Sequence, residues 1–179
     1  MPRYVAFLRA INVGGHTLKM ERLRALLEEL PLENVSTFIA SGNVLFDAVE
    51  GDVGALERRI DRHLERALGY EVGTFIRTPE ELAGVSRHPP FQPDELERGG
   101  TLYVSFLSSP PPDGTAERVA ALSTAVDDLR LHGRELYWLC AVGIGRTEVK
   151  GPQLGRVLGR PSTMRNINTV RRILAKVAG

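Results

Sequence analysis

The stretch N34-V-S-T-F-I-A-S-G-N-V-L-F46 holds two short runs rich in β-branched and aromatic residues, 34–40 and 43–46, with only Ser41 and Gly42 between them. A spacer of two small, turn-forming residues suits a tight hairpin, because glycine takes the positive φ that such turns need. On its amino-terminal side Met20, Leu23, Leu26, Leu27 and Leu30 recur at helical spacing, and Pro31 ends the run. On the other side Val53, Leu56, Ile60, Leu64 and Leu68 mark a second amphipathic helix, opened by Asp52 and closed by Gly69. Beyond the two helices lie a strand over 3–8 and another over 71–77. In the first of these, Tyr4, Ala6 and Leu8 alternate with Val5 and Phe7, so the strand is apolar on both faces and is expected to be covered on both.

The order over 3–77 is therefore β-α-β-β-α-β, the ferredoxin-like arrangement, and the fold class is α+β. A second, related cycle follows. TLYVSFL (101–107) reads as a strand, SSPPPDGT (108–115) as a turn, AERVAALSTAV (116–126) as a helix, and LRLH (129–132) and ELYWLCAV (135–142) as two strands joined across Gly133-Arg134. This second β-α-β-β unit is followed by carboxy-terminal helical sequence. STMRNINTVRRILAKVAG (162–179) predicts one helix, capped by Ser162 or Thr163, with Met164, Ile167, Val170, Leu174 and Val177 on one stripe. Between the cycles, TPEEL (78–82) opens a short helix with Thr78 as cap and Pro79 in the first turn, and SRHPPFQPDELERGG (86–100) is rich in Pro and Gly. The expected organisation is a ferredoxin-like subdomain at 1–78, a linker or lid at 79–100, and a second α+β subdomain at 101–179.

Composition narrows the chemistry. A hydrophobic fraction of 42% in 179 residues supplies a real core. The apolar runs are too short to span a bilayer, and MPRYVAFLRAINV lacks the features of an export signal, so a cytoplasmic chain with no membrane partner is expected. The single cysteine, Cys140, excludes intrachain disulfides and multi-cysteine zinc sites. The four histidines, His16, His63, His88 and His132, show no metal-ligand spacing, and no metal or cofactor is expected. The formal net charge of +1 conceals a division of the chain. Residues 143–179 carry eight Lys and Arg against Glu148 alone, a net of +7, while residues 1–142 carry 15 against 21, a net of −6. A basic tail of this kind points to an anionic partner or to the acidic remainder of the same protein.

FLRAINVGGHTLKM (7–20) leads from the first strand into the first helix. It lacks both the dinucleotide fingerprint and the P-loop spacing. Gly14-Gly15 can nevertheless turn consecutive N–H groups toward an anion, assisted by Lys19 and the helix dipole, or can form a turn without a ligand. In the ferredoxin-like sheet the first and third strands are antiparallel neighbours. The loop leaving the first and the hairpin entering the third therefore lie at one end. Asn12, Gly14, Gly15, His16 and Lys19 should approach Ser41, Gly42 and Asn43, forming either a small-ligand notch or two turns that bond only to themselves. An RNA-recognition module of the same element order would need a basic-Gly-aromatic run that SGNVLF does not supply.

LRAINVGG (8–15), SGNVLF (41–46) and STMRNINTV (162–170), in that order, resemble the motifs of a bacterial family known as domain of unknown function 1697. In that family the first motif usually has Gly where this chain has Ala10, and the third usually has Trp where this chain has Ile167. The resemblance implies a two-part α+β fold and no established activity. Within the third motif, Arg165 is a fork donor for carboxylate or phosphate, and Asn166, Asn168 and Thr169 add hydrogen-bonding groups. These four are candidate ligand residues or a polar clamp between the two halves.

The leading expectation is a binding module for a small anionic or nucleotide-like ligand, or a nucleic-acid phosphate. One alternative is an enzyme, a hydrolase or transferase of unknown reaction, with His16 or Lys19 in the notch and no identifiable catalytic set. The other is a structural or protein-interaction module. Oligomeric state is not legible.

Overall fold

The structure is a computed structural model and describes residues 1–12, 14–39, 42–49 and 51–179. The chain divides into two compact units, Met1–Ala83 with Ile173–Gly179, and Gly84–Arg172.

The first unit contains β1 (Arg3–Arg9), α1 (Met20–Glu28), β2 (Glu33–Thr37), β3 (Asn43–Asp47), α2 (Val53–Leu68) and β4 (Gly73–Arg77). Its sheet is antiparallel, in the order β2-β3-β1-β4. Tyr4, Ala6 and Leu8 of β1 and Val44 and Phe46 of β3 point to one face, where they pack with Leu23 and Leu27 of α1 and Leu56, Ile60 and Leu64 of α2. Val5 and Phe7, on the opposite face of β1, are also fully buried, as the doubly apolar sequence requires. The boundaries of α2 have local causes. Asp52 accepts a hydrogen bond from the Ala55 N–H at 3.0 Å, and Gly69 ends the helix at φ 81°, where any side chain is disfavoured.

After β4, α3 (Pro79–Arg87) begins with a reciprocal cap: the Glu81 N–H donates to Thr78 Oγ1, and the Thr78 N–H donates to Glu81 Oε2. In the second unit α4 (Pro93–Glu97) precedes β5 (Thr101–Leu107), α5 (Thr115–Ala120), β6 (Asp127–His132), β7 (Glu135–Cys140), a 3-10 turn (Ile144–Arg146), α6 (Gly151–Leu158) and β8 (Ser162–Asn166); α7 (Ile167–Ala178) closes the chain. The second sheet is antiparallel in the order β6-β7-β5-β8. This is the order of the first sheet element for element, so the repeat is a complete β-α-β-β-α-β.

Three expectations are corrected. Residues 162–166 form a strand, not the start of the last helix. Their burial alternates, Thr163 and Arg165 inside, and Met164 faces the opposite side against the helix-covered core. Met164 thus belongs to a strand pattern, although its spacing to Ile167 is helical. The helix predicted over 116–126 is only α5, because the Ser123 and Thr124 side chains compete for backbone amides. Ser123 Oγ accepts from the Leu129 N–H, and Thr124 Oγ1 from the N–H groups of Val126 and Asp127. Third, α6 lies in a stretch with no assigned element, although Pro152 in its first turn and Gly159 at φ 67° bracket it.

Candidate functional site

In the first unit the end of β1 and Ile11 lie against Gly42. The Leu8 N–H donates to the Gly42 carbonyl at 2.8 Å. Gly42 has φ 81°, and a Cβ placed there would lie 2.8 Å from Ile11 Cδ1 and 3.2 Å from Leu8 Cβ. Only glycine fits this contact without displacement. Ser41, the other residue of the expected turn, lies outside the described residues.

The asparagines at this end serve the backbone. Asn43 is fully buried and its Nδ2 donates to the Phe38 carbonyl at 3.1 Å, closing the hairpin from within. Asn12 Oδ1 accepts from the Leu18 N–H at 2.7 Å and closes the loop that leads into α1. Within that loop Ala10 has φ 67°, Gly14 φ 61° and Gly15 φ 81°. Asn12, Gly14, Gly15, His16 and Lys19 are all exposed. Lys19 stands at the N-cap of α1 without a side-chain cap bond, so the first-turn amides receive no capping acceptor from it. The His16 ring lies on the Tyr70 ring, centroids 4.1 Å apart and planes 19° apart. The Tyr70 hydroxyl in turn donates to the Ile11 carbonyl at 2.9 Å, tying the residue after α2 to the loop.

The third motif sits differently from its helical reading. Arg165 is on β8, opposite Val104, and only 9% exposed. Its Nη1 donates to Thr163 Oγ1 at 2.8 Å and to the Met164 carbonyl at 2.9 Å. Burial lowers its pKa to about 10, which leaves it charged at neutral pH. Asn166 Oδ1 accepts from the Asn168 N–H at 2.9 Å, a bond that turns the chain from β8 into α7. Asn168 is exposed, its Oδ1 3.5 Å from Arg171 Nη1, and Thr169 is half-buried. Arg165 therefore shares no helix face with Asn168 and Thr169.

The basic tail is well exposed. Arg146, Lys150, Arg156, Arg171 and Lys176 are at the surface, and among the described residues none is in an ion pair. Arg160 instead donates to Ser109 Oγ and the Pro110 carbonyl.

Sequence reasoning missed two polar centres in the second unit. Asp127 is 3% exposed; its carboxylate accepts from Thr124 Oγ1, Trp138 Nε1, Thr147 Oγ1 and the Glu148 N–H. Burial pushes its pKa up, but those four donors outweigh it and hold the group well below the usual carboxylate range. Asp127 forms part of the wall of a cleft of about 340 Å³ that α4 also borders. Arg130 lies 4.3 Å over the Phe91 ring and reaches Glu95, Asp128 and the Pro90 carbonyl, fixing the proline-rich segment to β6. The Asp127-Asp128 pair and the Phe91 ring were visible in the sequence; their partners are distant in the chain and were not. Among the described residues no three His, Cys, Asp or Glu side chains group as metal ligands.

A family model described as "Protein of unknown function (DUF1697)" matches residues 1–137. No curated protein matches the chain. Among solved structures, that of the conserved bacterial protein SP0830 from Streptococcus pneumoniae is similar, with a TM-score of 0.68 and 20% identity over 97% of each chain, a likeness of fold.

Proposed function

The chain belongs to the DUF1697 family, proteins of unknown function, and we propose that it is a binding module for a small anionic or nucleotide-like ligand, or a nucleic-acid phosphate. The anion is received at the exposed loop between β1 and α1. The observation that carries this reading is the state of that loop: two consecutive left-handed glycines, an exposed Lys19, and a helix start that Lys19 does not cap. Backbone N–H groups at such a point favour negative charge, and the lysine adds a mobile cation. The exposed Arg146, Lys150, Arg156, Arg171 and Lys176, none in an ion pair among the described residues, support the same reading, because such charges attract an anion over a Debye length of roughly 8 Å at physiological salt.

Calorimetry against inorganic phosphate, nucleotides and short oligonucleotides at low and moderate salt tests the proposal. Binding that weakens with salt and falls about tenfold in Lys19→Ala supports it. Absence of binding to every member of the panel, or affinities untouched by both salt and Lys19→Ala, removes it.

A further inference from the structure

We infer that the ligand received by the glycine loop carries a planar aromatic base that stacks on the outer face of His16. The inference rests on the anion reading and names what the anion is attached to.

His16 is exposed although one face of its ring is covered by Tyr70. The exposed part of the ring therefore lies away from Tyr70. The ring is not simply an idle surface group, because the tyrosine beneath it is anchored by its hydroxyl to the Ile11 carbonyl. That bond holds the lower ring in place, and the near-parallel stack at 4.1 Å holds the upper one flat on it. The result is a two-ring platform built before any ligand arrives, which lowers the entropy cost of stacking a third ring.

His16 also differs from the other histidine of this unit that faces a helix. His63 Nε2 lies 2.7 Å from the Leu26 carbonyl and 3.1 Å from Glu29 Oε2, so its polar edge is used in bridging α1 and α2. The His16 ring makes no hydrogen bond among the described residues. Both its nitrogens are open to the edge of a ligand. The room beside it is bounded by backbone without side chains: a Cβ on Gly14 would come no nearer than 3.9 Å, to His16 Cδ2, and one on Gly15 would meet nothing within 4 Å. An aromatic platform next to an anion-favouring loop matches a nucleobase with its phosphate, whether the base belongs to a free nucleotide or to a single strand.

The test measures binding of inorganic phosphate, adenosine, AMP, an eight-residue oligodeoxyadenylate and an abasic strand of the same length to the full chain and to its His16→Ala and His16→Phe variants. AMP should bind about tenfold tighter than phosphate, or the adenylate strand tighter than the abasic one by a similar factor, equivalent to about 1.4 kcal/mol. Preference in the first comparison assigns the base to a free nucleotide, and preference in the second alone assigns it to a strand. His16→Phe should keep the preference and His16→Ala should abolish it, with phosphate affinity unchanged in both. The inference is overturned if neither comparison shows a preference, if His16→Ala retains it, or if His16→Phe loses it. Phosphate bound without any preference for a base leaves the anion reading standing and removes this one. Adenosine bound in a His16-dependent way, with phosphate unbound and AMP bound no tighter than adenosine, removes the anion reading and with it the base-plus-anion ligand inferred here, and silence from all five ligands removes both.

Discussion

Ala10 sits at φ 67°, a conformation in which a Cβ costs roughly 1–2 kcal/mol. Ala10→Gly should therefore raise stability by about 1 kcal/mol in denaturant titration, since relief of the strain exceeds the added entropy of the unfolded chain. Gly42→Ala should act in the opposite sense by about 2 kcal/mol, because it adds both a left-handed Cβ and a 2.8 Å approach to Ile11. Two aspartates make opposite pH predictions. Asp127 has a depressed pKa when folded, so its contribution is present above the unfolded value of about 4 and is lost as pH falls from there toward the folded value. Asp127→Asn should cost about 2–4 kcal/mol at pH 7 and lose less stability on acidification than the parent. Asp61, half-buried on α2, has a raised pKa because burial disfavours its charged form, and among the described residues its Oδ1 and the buried Thr74 Oγ1 have no hydrogen-bond partner. Its ionisation begins to cost the fold stability as pH rises past the unfolded value near 4, and the cost is complete above the folded pKa. Asp61→Asn should therefore stabilise the protein at pH 7, with the gain vanishing as pH falls through the unfolded value near 4. Thermal unfolding from pH 3 to 8 separates the two.

At the scale of elements, the first unit was legible because its signals are local. Asp52, Gly69, Thr78 and Pro79 act within one helical turn of themselves, and the hydrophobic spacings of α1 and α2 are long enough to be unambiguous. The carboxy-terminal segment was misread for an equally physical reason. Over 162–170, Thr163 and Arg165 alternate as a strand requires, while Met164, Ile167 and Val170 recur as a helix requires, and five residues cannot decide between the two periods. Pairing with β5 decides it, a contact some 60 residues away in sequence that no local pattern contains. The candidate loop was legible in residue type, but the direction of each side chain was not. Asn43 is turned inward to Phe38, and Arg165 is folded back on its own strand. The motif's roles then divide by element. Asn166→Ala should cost about 1 kcal/mol as the loss of a helix-opening bond, and Arg165→Ala about 2 kcal/mol or more as the loss of a buried, hydrogen-bonded charge. Each is measured by chemical denaturation.

At the scale of the whole molecule, no helix among the described residues is long and apolar enough to cross a membrane, and the charge is distributed along the sequence rather than balanced locally. Arg3, Arg24, Arg98 and Arg130, all in the acidic part of the chain, form ion pairs with carboxylates. Arg146, Lys150, Arg156, Arg171 and Lys176 are in no ion pair among the described residues, and exposed pairs would have been worth at most about 1 kcal/mol each. The consequence of the basic tail lies in association. If a polyanion is bound, replacing Lys150, Arg156, Arg171 and Lys176 together by Gln should leave the unfolding midpoint within a few degrees of the parent, since all four are exposed and outside ion pairs. The same variant should bind a single-stranded oligonucleotide more weakly, and the slope of log K against log salt should become shallower by about 0.7 for each phosphate contact removed. An unchanged slope with unchanged affinity would restrict anion recognition to the glycine loop, where Lys19→Ala would then carry the whole salt dependence. A large fall in the unfolding midpoint would instead mean that the tail's charge is part of what holds the fold.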